Sequence, residues 1–127
     1  MNRFTFTVAG RCVPAPRMTY RGKRSPKVLR YMSYRHDVAW AAKAAKVPRF
    51  DGPVAVKMDI YLLKYGKEGD IDNMQKIILD ALNGIAWSDD RQVAEIHARK
   101  HYVTTPQKEQ VQVTVTKYTP EKEVATG

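Results

Sequence analysis

The stretch GDIDNMQKIILDALNGIAWSDDRQV, residues 69–93, decides how the rest of the chain is read. In its middle, Met74, Ile77, Ile78, Ala81, Leu82 and Ile85 recur with the 3.6-residue period of a helix that buries one face, which predicts a helix over 71–84. Gly84 stands near its end, where glycine closes a helix at little cost. Asp72, Lys76, Asp80 and Asn83 follow one another at helical spacing on the opposite face. Asp70 and Asp72 bracket Ile71 at the start of this helix, and Asp89 and Asp90 follow it after a short turn.

Upstream, residues 53–64 (PVAVKMDIYLLK) put Val54, Val56, Met58, Ile60 and Leu62 on one side of a long strand, and Gly66 and Gly69 mark a turn after it. Residues 3–8 alternate as a half-buried strand does. Residues 9–32 have no period and contain Gly10, Pro14, Pro16, Gly22 and Pro26, which reads as a long basic loop. The Ala-rich run 33–47, with Ser33 as N-cap and Pro48 behind it, reads as a helix. Downstream, 92–103 and 110–118 read as strands, the latter with Val111, Val113 and Val115 inward. The order β-loop-α-β-α-β-β predicts an α+β fold: a mixed, largely antiparallel sheet with two main helices packed on it. One domain over 1–118 is expected, with a flexible polar tail at 119–127. The 71–84 helix is expected to return the chain so that a strand starting near Arg91 runs beside the strand ending near Lys64. That would bring the Asp89–Asp90 pair close to Asp70 and Asp72.

The net charge of +9 is unevenly spread. Residues 1–36 hold nine Lys/Arg and no acid, while residues 37–127 hold thirteen of each sign. A confined surplus favours contact with phosphates. Arg17, Arg21, Lys23, Arg24, Lys27 and Arg30 are the candidate DNA-binding residues, with Tyr20 and Tyr31 offering rings for stacking. No apolar run approaches the roughly 20 residues of a membrane helix. The N-terminus lacks the layout of a signal peptide, and the single cysteine, Cys12, excludes an internal disulfide. A cytoplasmic location is therefore expected.

Carboxylates gathered as Asp70, Asp72, Asp89 and Asp90 suit a hard divalent cation, above all Mg²⁺, which prefers oxygen ligands. Such a cation acts as a Lewis acid on a phosphodiester. His36, His97, His101 and Cys12 are too scattered for a zinc site. Each acid also has an ordinary alternative. Asp70 or Asp72 serves equally as an N-cap, Asp89–Asp90 as a turn, Asp80 as an exposed acid, and Lys76 as an i+4 partner of Asp72. Trp87 reads as a packing residue ahead of a DNA contact, Asn73 as a cap or a support for a carboxylate, and Arg99, Lys100 and His101 as a solvated strand face ahead of an extension of the basic surface.

Taken together, Asp70-Ile71-Asp72-Asn73, Lys76, Asp80-Ala81-Leu82, Trp87, Asp89-Asp90 and Gln92-Val93 resemble the signature of the RusA family of Holliday junction resolvases, and Val13-Pro14-Ala15-Pro16-Arg17 resembles that family's Pro-rich N-terminal segment. The resemblance implies a structure-selective endodeoxyribonuclease that resolves four-way junctions by paired symmetric nicks in recombination and repair. It implies a homodimer that uses Mg²⁺, with Mn²⁺ as a substitute, and has branched DNA as its partner, with no membrane and no small-molecule substrate. It implies catalytic roles for Asp70, Asp72, Lys76 and Asp90, with metal on the three aspartates and Asp89 less certain. A bacterial, prophage- or phage-encoded setting goes with it. The rival readings are a non-catalytic branched-DNA or RNA binding protein and a nuclease acting on flaps or forks.

Overall fold

Alternation along three strands builds the core. In the computed structural model, which describes residues 3–15, 26–63 and 69–120, β1 spans Arg3–Ala9, β2 Val54–Leu63, β3 Val93–Val103 and β4 Gln110–Lys117. Val54, Val56, Met58, Ile60 and Leu62 of β2, Val111, Val113 and Val115 of β4, and Phe6 and Val8 of β1 are buried on one side of the sheet. Helices α1 (Pro26–Ala44) and α2 (Ile71–Leu82) complete that core with Tyr34, Val38 and Ala42 from α1, and Met74, Ile77, Ile78, Ala81 and Leu82 from α2. The other side of the sheet carries Thr5, Lys57, Asp59, Gln112 and Thr114.

The strand order is β1-β4-β2-β3. The β1–β4 and β4–β2 pairs are antiparallel and the β2–β3 pair is parallel, so the sheet is mixed and mainly antiparallel, as the element order predicts. No described helix is long and apolar enough to cross a membrane.

Two expectations need correction. The first concerns the basic loop, which was expected to reach residue 32, whereas α1 begins at Pro26. Proline suits a first helical position, because that N–H has no partner in the helix anyway. The period is hard to read there because α1 is apolar on both sides. Leu29, Met32 and Trp40 lie exposed opposite buried Tyr34, Val38 and Ala42.

The second concerns the acids. Val54 pairs with Val93 and Leu63 with Val103, so β3 starts beside the start of β2, not beside its end. One helix reverses the chain once, and the next strand in the same sheet must then run parallel. Asp70 and Asp72 therefore sit at one end of α2 and Asp89 and Asp90 beyond the other. The helix alone, twelve residues long, separates them by about 18 Å of axial rise.

Candidate active site

The start of α2 is held by three contacts. Lys100 Nζ, from the helix-side face of β3, donates to the Gly69 carbonyl at 2.9 Å. The Ala15 N–H donates to the Asn73 carbonyl at 3.1 Å and ties the 11–15 segment to the first turn. Gly69 itself lies against Pro14: a Cβ on it would stand 2.4 Å from Pro14 Cγ and 2.6 Å from Pro14 Cβ. That proline is anchored through Ala15 and cannot swing aside. Gly69→Ala is accordingly expected to destabilise the fold by about 1–3 kcal/mol, the usual penalty for forcing atoms into filled space. A lowered urea midpoint measures it, and an unchanged midpoint would contradict the close approach.

Asp70 occupies the N-cap position of α2. Its carbonyl accepts from the N–H groups of Asn73 and Met74 at 3.1 Å each, yet its carboxylate makes no capping bond. Asp72 follows in the first turn, exposed, and Lys76 lies exposed one turn further. Among the described residues neither carboxylate is tied up in an ion pair or a hydrogen bond. The cap alternative thus holds for the backbone of Asp70 and not for its side chain. Two hard oxygen donors stand at a helix N-terminus, where the dipole favours negative charge.

Beside them a cleft of about 580 Å³ opens between the 11–15 segment, the start of α1 and Gly69–Asn73. Lys27, Arg30 and Arg11 line it together with Asp70 and Asn73. Arg11 is held 2.7 Å from Glu109, whose carboxylate also accepts the Leu63 N–H. Of the candidate DNA-binding residues, Lys27 and Arg30 therefore lie at the acidic end, on the first turns of α1. Arg17, Arg21, Lys23, Arg24 and the ring of Tyr20 lie outside the described residues, as does most of the 119–127 tail.

The second acidic pair is built differently. Asp89 caps the short turn of 3₁₀ helix at Asp90–Gln92: its carboxylate accepts from the Arg91 N–H at 2.8 Å, and Gln92 Oε1 accepts from the Asp89 N–H at 3.1 Å. The hydrogen bonds from Arg91, side chain and then backbone, hold the Asp89 carboxyl below the usual carboxylate range. Gln92 also donates to the carbonyls of Phe50 and Gly52, at 2.8 and 3.0 Å, and so locks the turn to the strand-start end of the sheet. Asp90 is exposed, and its Oδ1 accepts from the Nε1–H of fully buried Trp87 at 2.9 Å. Trp87 packs, as the sequence suggests, and also aims a surface carboxylate. Asp89 has a turn to hold; the exposed Asp90 is held through one oxygen only.

Sequence reasoning gave Gln92 no role beyond the family signature, placed Lys100 on a solvated strand face or the basic surface, and offered Tyr31 for stacking, whereas each has a structural task. The Asp89-x-x-Gln92 spacing is a capping-box pattern and was readable as such. Lys100 shares its parity along β3 with Ile96 and Ala98, and an inward-facing lysine in an alternating strand signals a polar task. The Tyr31 hydroxyl donates to Asp80 Oδ2 at 3.1 Å and Arg35 lies 5.7 Å over its ring, so this tyrosine joins α1 to α2 and is no open stacking platform. Its hydroxyl is shifted upward by burial and by the Asp80 carboxylate.

The donor set favours a hard cation over a soft one. Cys12 is buried, and burial pushes its thiol up to about 12, so it stays protonated. Among the described residues, no three His, Cys, Asp or Glu side chains of one copy are placed to hold a metal ion together. The parallel β2–β3 pairing is what keeps the two acidic pairs apart.

Trp87→Phe keeps most of the packing and removes the hydrogen bond to Asp90. If Asp90 acts in the site, activity is expected to fall about 10–100-fold, the usual effect of releasing a ligand's supporting contact, with the fold intact by circular dichroism. Unchanged activity would place Asp90 outside the site.

No curated protein matches this chain. The family model of endodeoxyribonuclease RusA matches residues 10–116, which takes in the cleft segment, both acidic pairs and all but the last residue of β4. That span carries the signature around α2 in the fold that holds it, and on this ground the chain belongs to the RusA family of Holliday junction endodeoxyribonucleases.

Proposed function

We propose that the protein is a divalent-metal-dependent homodimer that binds four-way junctions and nicks two opposed strands, with each site shared between copies. Asp70 and Asp72 of one copy and Asp90 of the other would hold one Mg²⁺, or Mn²⁺ in its place. The observation that carries this reading is the distribution of the acids. Two carboxylates without partners among the described residues stand at the start of α2, and the oriented Asp90 lies past its far end. Two ends that cannot meet within one chain can meet across a two-fold axis.

A cation bound there would polarise the phosphodiester and acidify the attacking water. The chain's own groups do the rest. Lys76, one turn from Asp72 and roughly 6 Å along the helix axis, offsets carboxylate repulsion and reaches toward the scissile phosphate. Lys27 and Arg30 offer phosphate contacts along the cleft, and the basic run through Arg17, Arg21, Lys23 and Arg24 extends them. Asn73, half-buried in the cleft wall, supports the neighbouring carboxylates. A four-way junction is itself close to two-fold symmetric, so two identical sites face matching strands. Hydrolysis needs no covalent enzyme intermediate. The biological role that fits is recombination and repair of bacterial or phage DNA in the cytoplasm, by a single domain over 1–118.

Incubation with labelled four-way junctions tests this. Paired symmetric nicks are expected with Mg²⁺ and none with EDTA, while junction binding persists without metal and weakens steeply with salt. Absence of symmetric nicks across several junction sequences would contradict junction resolution, and stronger cutting of flaps or forks would reassign the substrate.

A further inference from the structure

Among the described residues four large apolar side chains stand exposed, and three of them lie on α1: Leu29, Met32 and Trp40, at 57%, 50% and 67% of full exposure. Their spacing of i, i+3 and i+11 makes one stripe, with exposed Ser33 and His36 between them, on the side of α1 opposite Tyr34, Val38 and Ala42. From Leu29 to Trp40 the stripe runs about 16 Å along the helix axis. Apolar side chains gathered in this way on a surface mark a contact.

The charge around the stripe narrows what it contacts. α1 carries Lys27, Arg30, Arg35 and Lys43 against one acid, Asp37. The same stripe of a second copy would bring the same excess of cations, and like charges facing across a contact repel. The partner has to offer negative charge and apolar surface together. DNA offers both, phosphates outside and base faces within. In a continuous duplex those faces are stacked on one another. They become reachable where stacking is interrupted, as it is where strands change partners in a branched molecule. Position agrees with chemistry: Leu29 shares the first turns of α1 with Lys27 and Arg30, which line the cleft beside Asp70.

We propose that the outer face of α1 selects branched over linear DNA. Leu29 and Met32 form an apolar wedge against the bases at the branch point, as apolar side chains do at an opened base step. Trp40, about 12 Å beyond Met32 along the helix axis, lies against the adjoining arm. The cations of α1 hold phosphates of any DNA, whereas the apolar side chains add affinity only where bases are open. This inference rests on the proposed binding of four-way junctions and names the residues that set it apart from duplex binding.

Leu29→Gln combined with Met32→Gln tests it. Both positions are exposed, and glutamine is a good helix former, so the fold is retained. In EDTA the double variant is expected to bind a four-way junction about 10-fold or more weakly than the unaltered chain. Its affinity for linear duplex of the same arm sequence, and the salt dependence on both DNAs, should not change, because no cation is removed. The chain has two tryptophans and Trp87 is fully buried, so Trp40 is the exposed emitter. Its fluorescence in the unaltered chain is expected to be quenched when the junction binds. Full preference for the junction in the variant, an equal loss on both DNAs, or Trp40 emission unmoved by the junction overturns this role of α1 and leaves junction binding standing. A fall in mass by light scattering with the preference intact also overturns it, and assigns the stripe to a second copy. An unaltered chain that binds the junction no more tightly than duplex overturns both.

Discussion

Asp72→Asn is expected to reduce junction nicking by a factor on the order of 10³ or more, with junction affinity unchanged or slightly raised. Asp72 is exposed in the first turn of α2, caps nothing and makes no ion pair among the described residues, so the fold does not need its charge. The substitution keeps shape and volume and removes one negative charge, which a divalent cation needs and a phosphate backbone does not. On the proposed reading binding rests on cations such as Lys27 and Arg30, which the substitution leaves untouched. Cleavage is measured on labelled junctions in Mg²⁺, binding on the same junctions in EDTA. A variant that still cuts would refute the chemistry assigned to this carboxylate. Loss of binding together with cleavage would make Asp72 a structural residue. The opposite pattern is expected for Lys27→Ala with Arg30→Ala: weaker binding and a shallower salt dependence, with nicking restored at saturating enzyme.

How much of this was legible in the sequence depended on the kind of signal. The inward faces of β2 and β4 and the buried face of α2 followed from period alone, because each element buries one side only. The start of α1 did not, because Leu29, Met32 and Trp40 put apolar residues on its exposed side and blur the period. The acidic residues were legible as chemistry from their type and spacing, and their ranking came from family resemblance. Their placement was misread, because no local pattern states whether a helix delivers the next strand parallel or antiparallel. The register Val54–Val93 decides it, and that is a long-range pairing. Trp87 illustrates the same limit. Its burial was readable, but its hydrogen bond to Asp90 depends on a turn locked by Gln92 to Phe50 and Gly52, some 40 residues earlier in the chain.

That misreading carries the main consequence. Had the two acidic pairs met within one chain, each copy would hold a complete site. With Asp70 and Asp72 at one end of α2 and Asp90 past the other, the proposed reading gives each copy two halves of different sites. Asp90→Asn, like Asp72→Asn, is then expected to be inactive as a pure dimer, although the Trp87 hydrogen bond can still be accepted by the new amide oxygen.

Mixing the two inactive variants is the most direct test of a site shared between copies. Asp72→Asn and Asp90→Asn chains, co-expressed in equal amounts and assembled at random, give half mixed dimers. Each mixed dimer combines one doubly altered site with one unaltered site, so about a quarter of the wild-type number of sites returns. Because each mixed dimer has a single working site, the product on a four-way junction is a nick in one strand and not paired resolution. Recovery of single nicks at roughly that level, from two proteins that are each inactive alone, is the predicted result. A mixture as inactive as its parts, in preparations where mixed dimers are demonstrated by mass, would contradict the shared site.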